Sequence, residues 1–199
     1  KIAVSASDEA LLVWADASAV SVSRLTGGDW AAPLTLRNAG RSPRVAFDSG
    51  GVPTVAWLRA GDFGDSGVEA SRYVDSTWSE PVWVFATRSS PGECFRGPEN
   101  LAANRGNATA LELAADGAGA LRAVWGLRWD SCYGYKMRLD SATFSSGAWV
   151  RDGTLVSESP SNLYLRGALV APSGELSVVS ASGPTYCSES GHNSVISSL

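Results

Sequence analysis

Val45-Ala-Phe-Asp48-Ser-Gly50-Gly-Val-Pro-Thr-Val55-Ala-Trp57 recurs in eroded form as Leu113-Ala-Ala-Asp116-Gly-Ala-Gly119-Ala-Leu-Arg-Ala-Val124-Trp125. In both copies the aspartate precedes the tryptophan by nine residues. The N-terminus keeps that spacing between Ser5 and Trp14, in Ile2-Ala-Val-Ser5 followed by Leu12-Val13-Trp14. A fourth copy, Ala168-Leu-Val-Ala-Pro172-Ser-Gly174-Glu-Leu-Ser-Val178-Val179, retains the turn and has lost the tryptophan. Each copy reads as a hairpin: two short apolar runs flank a turn where glycine supplies positive φ and aspartate bonds its own backbone.

A second hairpin follows each of the first ones. Val20-Ser-Val-Ser-Arg24-Leu-Thr-Gly-Gly-Asp-Trp30-Ala-Ala-Pro33-Leu34 matches Val68-Glu-Ala-Ser-Arg72-Tyr-Val-Asp-Ser-Thr-Trp78-Ser-Glu-Pro81-Val82. The third unit keeps the turn and its tryptophan in Ser145-Ser-Gly147-Ala-Trp149, with Asp152 in place of the proline. Four strands per unit, named A to D from the inside out, repeating as whole cassettes, argue for a β-propeller. A β-sandwich has no reason to repeat both hairpins together. The expected fold class is all-β, with four-stranded antiparallel blades at roughly 1–42, 43–109 and 110–165, and an incomplete fourth at 166–199. About 3.7 blades form part of a larger ring on this reading, which a further segment or a partner chain would complete. The B-strand tryptophans are expected to fill the space between sheets.

Composition limits what such a scaffold does. Of 199 residues, 44% are apolar and 18% charged, which suits a folded domain with a sizeable core. No apolar run is long enough to span a bilayer. Lys1–Ser7 alternates polar and apolar residues, so an export signal is expected to be already removed. Net charge is −4, and only Lys1 and Lys136 of the 16 basic residues are lysines. With no basic stripe, nucleic acid is a poor partner. The Arg-, Ala- and Gly-rich usage is similar to that of secreted proteins from high-GC bacteria.

The cassette resembles the sialidase-like (exo-sialidase-like) repeats of secreted bacterial propellers, a group that includes lectin-type propellers. The resemblance rests on the Asp-x-x-Gly hairpin, the Val-Trp strand, and the Ser-Arg strand followed by a turn ending in tryptophan. The turns at Thr26–Trp30, Ser76–Trp78 and Ser146–Trp149 look like eroded relatives of the Asp-box. True sialidases use an arginine trio, a tyrosine nucleophile with a glutamate partner, and an aspartate acid. Their Phe-Arg-Ile-Pro signature is absent, and Phe95-Arg96-Gly97-Pro98 departs from it at the third residue. Arg59 and Arg128 follow the B-strand tryptophans and point to the mouth of the ring; Tyr133 or Tyr135 is the available nucleophile on that reading.

Strand order places the A–B and C–D turns on one face and the B–C loops and D–A connections on the other. The first set is short and uniform. The second is long and variable, which is where binding is usually built on a rigid scaffold. Its candidate ligand-binding residues are Asp62, Phe63 and Asp65; Arg128, Trp129, Asp130, Tyr133 and Tyr135; Tyr186, Glu189 and His192; and Arg96 in the connection. Aromatic rings beside carboxylates and arginines suit sugars, and they equally suit protein interfaces. Cys94, Cys132 and Cys187 all fall on this face, with Cys94–Cys132 the expected disulfide in an oxidising, extracellular compartment. Their spacing fits no zinc site, and no metal cluster or cofactor is expected beyond a possible structural calcium ion in an Asp-rich turn. Gly64-Asp65-Ser66-Gly67 matches a serine-protease motif, but the sole histidine, His192, follows the serine in the reverse of trypsin-like order. The leading functional expectation is therefore a secreted, non-catalytic, lectin-like module that binds glycans. A protein-binding scaffold and a divergent sialidase-like glycosidase are the alternatives.

Overall fold

The computed structural model describes residues 1–17, 19–60, 65–88, 107–116, 118–131, 134–159, 162–171, 173–183 and 193–198. For 60, 65, 88, 129–131, 134–135, 157–159, 162–164, 181–183 and 193–198 it describes the backbone alone.

Four antiparallel sheets follow one another along the chain. The first holds β1 (Ile2–Val4), β2 (Ala10–Ala15), β3 (Ala19–Thr26), β4 (Asp29–Trp30) and β5 (Leu34–Asn38). The second holds β6 (Gly40–Phe47), β7 (Pro53–Ala60), β8 (Asp65–Val74), β9 (Thr77–Trp78) and β10 (Val82–Arg88). The third holds β11 (Asn107–Ala115), β12 (Leu121–Ser131), β13 (Gly134–Ser145) and β14 (Ala148–Ser159). The fourth holds β15 (Asn162–Val170), β16 (Leu176–Gly183) and β17 (Asn193–Ser198). The innermost strands β1, β6, β11 and β15 are neighbours in that order. The molecule is a partial β-propeller, with sheets as blades.

The repeated turn has one construction. Asp48 Oδ1 accepts the Val52 amide at 2.9 Å, Asp116 Oδ1 the Ala120 amide at 2.8 Å, and Ser5 Oγ the Glu9 amide at 3.1 Å. In the fourth copy Ala171 occupies this position, and the backbone bonds remain, from its amide to the Glu175 carbonyl and from the Gly174 amide to its own carbonyl. Three residues after each of these positions the chain enters the left-handed region, at Asp8, Gly51, Gly119 and Gly174.

Blades are held together by three apolar clusters, one per interface. Leu11, Val13, Val20 and Val22 meet Val55 and Trp57 between the first two blades. Ala56, Leu58, Val68 and Phe85 meet Leu111, Ala123, Trp125 and Leu127 between the second and third. Val124, Met137 and Leu139 meet Leu176 and Val178 between the third and fourth. Trp57 and Trp125 are fully buried, and Trp125 stacks on Phe85 with ring centroids 5.0 Å apart. The Gly40 site shows how tightly Trp57 is wedged: a Cβ there would lie 2.5 Å from Val20 Cγ2 and 2.8 Å from Trp57 Cδ1.

In the first two blades the arginine that precedes the C–D turn is an interblade clamp. Arg24 is gripped by Glu9 of its own blade at 2.6 Å and lies over the Tyr73 ring of the next blade, 4.7 Å from the centroid. The hydrogen bond that Arg24 donates to Glu9 is the main cause that raises the Arg24 pKa. Arg72 repeats the pattern one blade on, gripped by Asp48 at 2.6 Å and lying over Phe144 at 4.1 Å. Each receiving ring packs on its own turn tryptophan, Tyr73 on Trp78 and Phe144 on Trp149. Nearer the axis, Arg44 binds Glu112 of the next A strand through two bonds of 2.9 and 3.0 Å, and Arg41 donates to the Ala108 carbonyl. Arg44 is aimed by a bulge at Ser42 and Pro43, where an edge strand tolerates proline.

The two buried indoles differ in one respect. Trp57 Nε1 donates to Glu69 Oε2 at 3.0 Å, whereas Trp125 Nε1 has no hydrogen-bond partner among the described residues. The carboxylates concerned stand at the same repeat position, Glu69 opposite Trp57 and Asp140 opposite Trp125. Aspartate is one methylene shorter. Trp57→Phe removes a bond to a charged acceptor, while Trp125→Phe removes an unpaired donor. Urea denaturation should therefore show Trp57→Phe costing about 1.5–3 kcal/mol more than Trp125→Phe; equal losses would refute the distinction.

Candidate functional site: the loop face

The strand ends that lead into the B–C segments and D–A connections lie at one end of the sheets, as strand order requires. Several are less loop-like than the sequence reading supposed. The segment 126–136, read as a long loop, is largely a hairpin: Arg128 pairs with Met137, Trp129 with Lys136, and Asp130 with Tyr135. The large alternating residues of this segment suit an extended ladder. Asp65 likewise lies in β8, paired with Arg88. Only backbone is described at Asp65, Trp129, Asp130 and Tyr135. Asp62, Phe63, Arg96, Tyr133, Tyr186, Glu189 and His192 lie outside the described residues, as do Cys94, Cys132 and Cys187. Of the sequence-chosen candidates, Arg128 alone has a described side chain; it is half-buried in β12.

A different set of groups is brought together at this end, in the groove between the first two blades. Glu69 on β8 is buried and sits beside Trp57 on β7 and Trp83 on β10. Arg59, two residues beyond Trp57, projects on the same sheet face and donates to Glu69 Oε1 at 2.6 Å. Arg37, at the end of β5, reaches across from the first blade to the same oxygen at 3.3 Å. The Arg59 guanidinium lies over the Trp83 ring, 5.3 Å from its centroid. Trp83 is 40% exposed. One buried carboxylate thus holds two guanidiniums and an indole.

The next groove carries a related cluster with a different balance. Asp140 is fully buried and accepts from Arg138 Nε at 3.2 Å, Arg151 Nη2 at 2.7 Å and Thr154 Oγ1 at 2.9 Å. Arg138 is itself buried, and Arg151 lies over Phe85 of the second blade. In the first blade the equivalent position is Ser21, opposite Trp14. The acid is therefore a variable position inside a fixed cassette, and the cassette match alone does not pick it out. Its legible signal was a lone Glu or Asp among alternating strand residues, where the solvent-facing reading is the common one.

On the opposite, turn-bearing face, a cleft of about 390 Å³ opens between the first two blades, lined by Leu11, Val22, Leu34, Tyr73 and Trp78 among others. Among the described residues no group of three or more His, Cys, Asp and Glu side chains could hold a metal ion, and no helix is long and apolar enough to cross a membrane.

No protein-family model matches the chain, and no curated protein matches it in sequence. Solved structures do. An ulvan lyase, of a new polysaccharide lyase family and bound to -[GlcA(1-4)Rha3S]-, aligns with 100% of this chain at a TM-score of 0.69 and 8% identity. An α-L-arabinanase of Penicillium chrysogenum complexed with arabinobiose aligns with 99% of it at a TM-score of 0.59 and 14% identity. A family GH93 α-L-arabinofuranosidase of Fusarium graminearum aligns with 98% at 0.56 and 13% identity. The chain spans 54–60% of the length of these proteins. At such identities the likeness is one of fold, the propeller of carbohydrate-active enzymes, and not of sialidases in particular.

These neighbours correct the expectation of a non-catalytic lectin-like module. That expectation rested on aromatic, amide and arginine side chains in the loops, which bind a sugar whether or not the bound sugar is then cleaved. A lectin and a glycan-cleaving enzyme differ in the placement of one or two proton-transferring groups, which composition does not report.

Breaking the buried cluster should be costly. Glu69→Gln leaves two guanidiniums facing each other across a neutral amide, in a site closed on one side by Trp57. Chemical denaturation is expected to show a loss of about 3–5 kcal/mol, against less than about 1 kcal/mol for a substitution at the exposed Glu80. A Glu69→Gln variant as stable as the parent would show that the cluster is not a structural ion site.

Proposed function

We propose that these blades belong to a carbohydrate-active enzyme that cleaves a polysaccharide on its loop face, and that they form part of a larger ring. The observation that carries this reading is the alignment of the entire chain with an ulvan lyase, together with arabinan-cleaving enzymes on the same fold. Fold-level analogy is the warrant, and the site must supply the rest. The ring is extended in this reading by a further blade against the first. Ile2, Val4, Leu12 and Trp30 are exposed there, whereas their repeat equivalents Val45, Phe47, Val55 and Trp78 pack into the cluster between the first and second blades. A blade covering them completes the same contact.

The proton-transferring groups are sought away from the interblade acids. Glu69, Asp140 and Glu112 are each engaged by arginine, which occupies the carboxylate oxygens and fixes them in place. Glycan cleavage needs an acid and a base, or a tyrosine in their place, on opposite sides of the scissile bond. Asp62, Asp65, Asp130, Glu189, His192, Tyr133 and Tyr135 are the sequence candidates. Secretion and a Cys94–Cys132 bridge are part of the proposal; the bridge is tested by peptide mass mapping under non-reducing conditions.

The decisive experiment is incubation of the full-length polypeptide with arabinan, ulvan and other plant and algal polysaccharides. New reducing ends indicate hydrolysis, and ultraviolet absorbance of an unsaturated uronate indicates elimination. Conversion of at least one polymer is expected, with a loss of about 10²-fold or more in kcat on replacing a true acid or base among the candidates. Failure to convert any polymer across the panel would refute the enzyme reading.

A further inference from the structure

We infer that the Arg37–Arg59 pair is a subsite for the carboxylate of a uronic acid unit, so that the polysaccharide taken by this protein is an acidic one. This rests on the glycan-cleaving reading and specifies its substrate class.

The charge count comes first. Among the described residues, Glu69 is the only acidic side chain within ion-pair distance of either arginine. Among the described side chains one negative charge therefore answers two positive ones, an excess of one positive charge. The geometry leaves that excess reachable. Both arginine side chains are about a third exposed, at 33% and 31%. Arg37 faces Glu69 through Nη2 and Nε, and Arg59 through Nη1. Arg37 Nη1 and the Nε and Nη2 groups of Arg59 take no part in these bonds. A guanidinium presents five N–H donors in a rigid fork matched to a carboxylate.

The support beneath is rigid. Glu69 is 2% exposed, and its second oxygen is held by the fully buried Trp57 indole. Both arginines are thus anchored from behind by a group that cannot turn away, as a preorganised anion site requires. Glu69 also keeps the empty pair from flying apart by like-charge repulsion. A ligand carboxylate arriving from solvent would complete neutrality, two anions against two cations, through charge-assisted hydrogen bonds.

An apolar partner for the sugar ring lies alongside. Trp83 stands next to Glu69 on the adjoining strand and is 40% exposed, with Arg59 stacked over its ring. A partly exposed indole beside a cationic fork suits a pyranose with one apolar face and one charged substituent. The comparison with the third blade separates a ligand site from a mere clamp. There the same strand position carries Asp140, which is saturated by Arg138, Arg151 and Thr154, and Arg138 is buried at 5% exposure. Arg151 of that cluster is 33% exposed, so the groove between blades two and three presents one accessible guanidinium where the groove between blades one and two presents two.

The test compares an oligosaccharide containing glucuronic acid with its carboxyl-reduced counterpart, in which glucose replaces the uronate. Binding of both to the full-length protein is measured by calorimetry at two ionic strengths. The parent protein should favour the acidic ligand by about tenfold or more, with the preference shrinking at high salt. Arg37→Gln and Arg59→Gln should each lower the acidic-to-reduced affinity ratio towards one. Arg59→Lys, which keeps the charge and loses the fork, should recover only part of it and guards against a variant that fails to fold. Equal affinity of the parent for the two ligands would overturn the inference, as would variants that fold and retain the full ratio. The two proposals fail separately. Cleavage of neutral polymers with no uronate preference sinks the subsite alone. Arginine-dependent uronate binding without cleavage of any polymer sinks the enzyme reading alone.

Discussion

A four-stranded sheet with two apolar faces has no way to bury either face by itself. Everything else in this molecule follows from that constraint. Each blade must be covered by the next, and the element that makes the cover tight is the B-strand indole, Trp57 in one interface and Trp125 in the next. A buried tryptophan removes on the order of 150–250 Å² from water, more than any other side chain can at one position. Its size also sets the spacing between sheets, which is why the residue opposite, Gly40, can carry no side chain at all. Around this apolar wedge the polar ties are secondary but directional. Arg24 and Arg72 reach forward to rings on the following blade, and Arg44 reaches forward to Glu112. All three point the same way along the chain, so each of the first two blades grips the one after it.

Most of that architecture was legible in the residues. The nine-residue interval from Asp48 to Trp57 is the length of a tight turn plus one strand, so recurrence of the interval implies recurrence of the hairpin. The Arg-to-Trp interval in the second hairpin was legible as a repeat but not as a clamp. Arg72 and Phe144 are 72 residues apart in sequence, and nothing in either segment names the other. The same limit applies to the loop face. Sequence reading selected the irregular segments, on the sound ground that variable loops carry function. The described cluster there, Glu69 with Arg37 and Arg59, lies instead on regular strands of two blades. Periodicity hides it: each residue occupies an ordinary alternating position, and only assembly of the blades brings the two arginines to one carboxylate.

The comparison of Ser21, Glu69 and Asp140 shows how a repeat scaffold acquires specific chemistry. The three occupy one position in three blades, opposite the same tryptophan. A hydroxyl there demands far less of its surroundings than a charge does. A carboxylate buried beside an indole must be compensated, because the desolvation cost of an isolated buried charge amounts to several kcal/mol. The two acidic blades compensate differently. The longer Glu69 reaches Trp57 Nε1 and leaves its arginines at the surface, while Asp140 leaves Trp125 Nε1 unbonded and draws Arg138 into the interior. The arginines stand at different repeat positions, Arg59 where the third blade has Leu127 and Arg138 where the second has Gly67, and together with the length of the acid they decide how much of the groove's charge faces solvent.

That difference bears on the relation between scaffold and activity. In a ring of near-equivalent grooves, identical grooves would offer identical weak sites, and a polymer would have no preferred register. Cleavage at one place needs asymmetry, with one groove able to hold a particular substituent while the others remain closed. The first two blades provide it here, with an open cationic pair backed by a buried glutamate and flanked by an exposed indole. The third supplies a more enclosed counterpart, with one of its two arginines buried. The repeat fixes where side chains can stand, and departures from it decide which of those places a ligand can use.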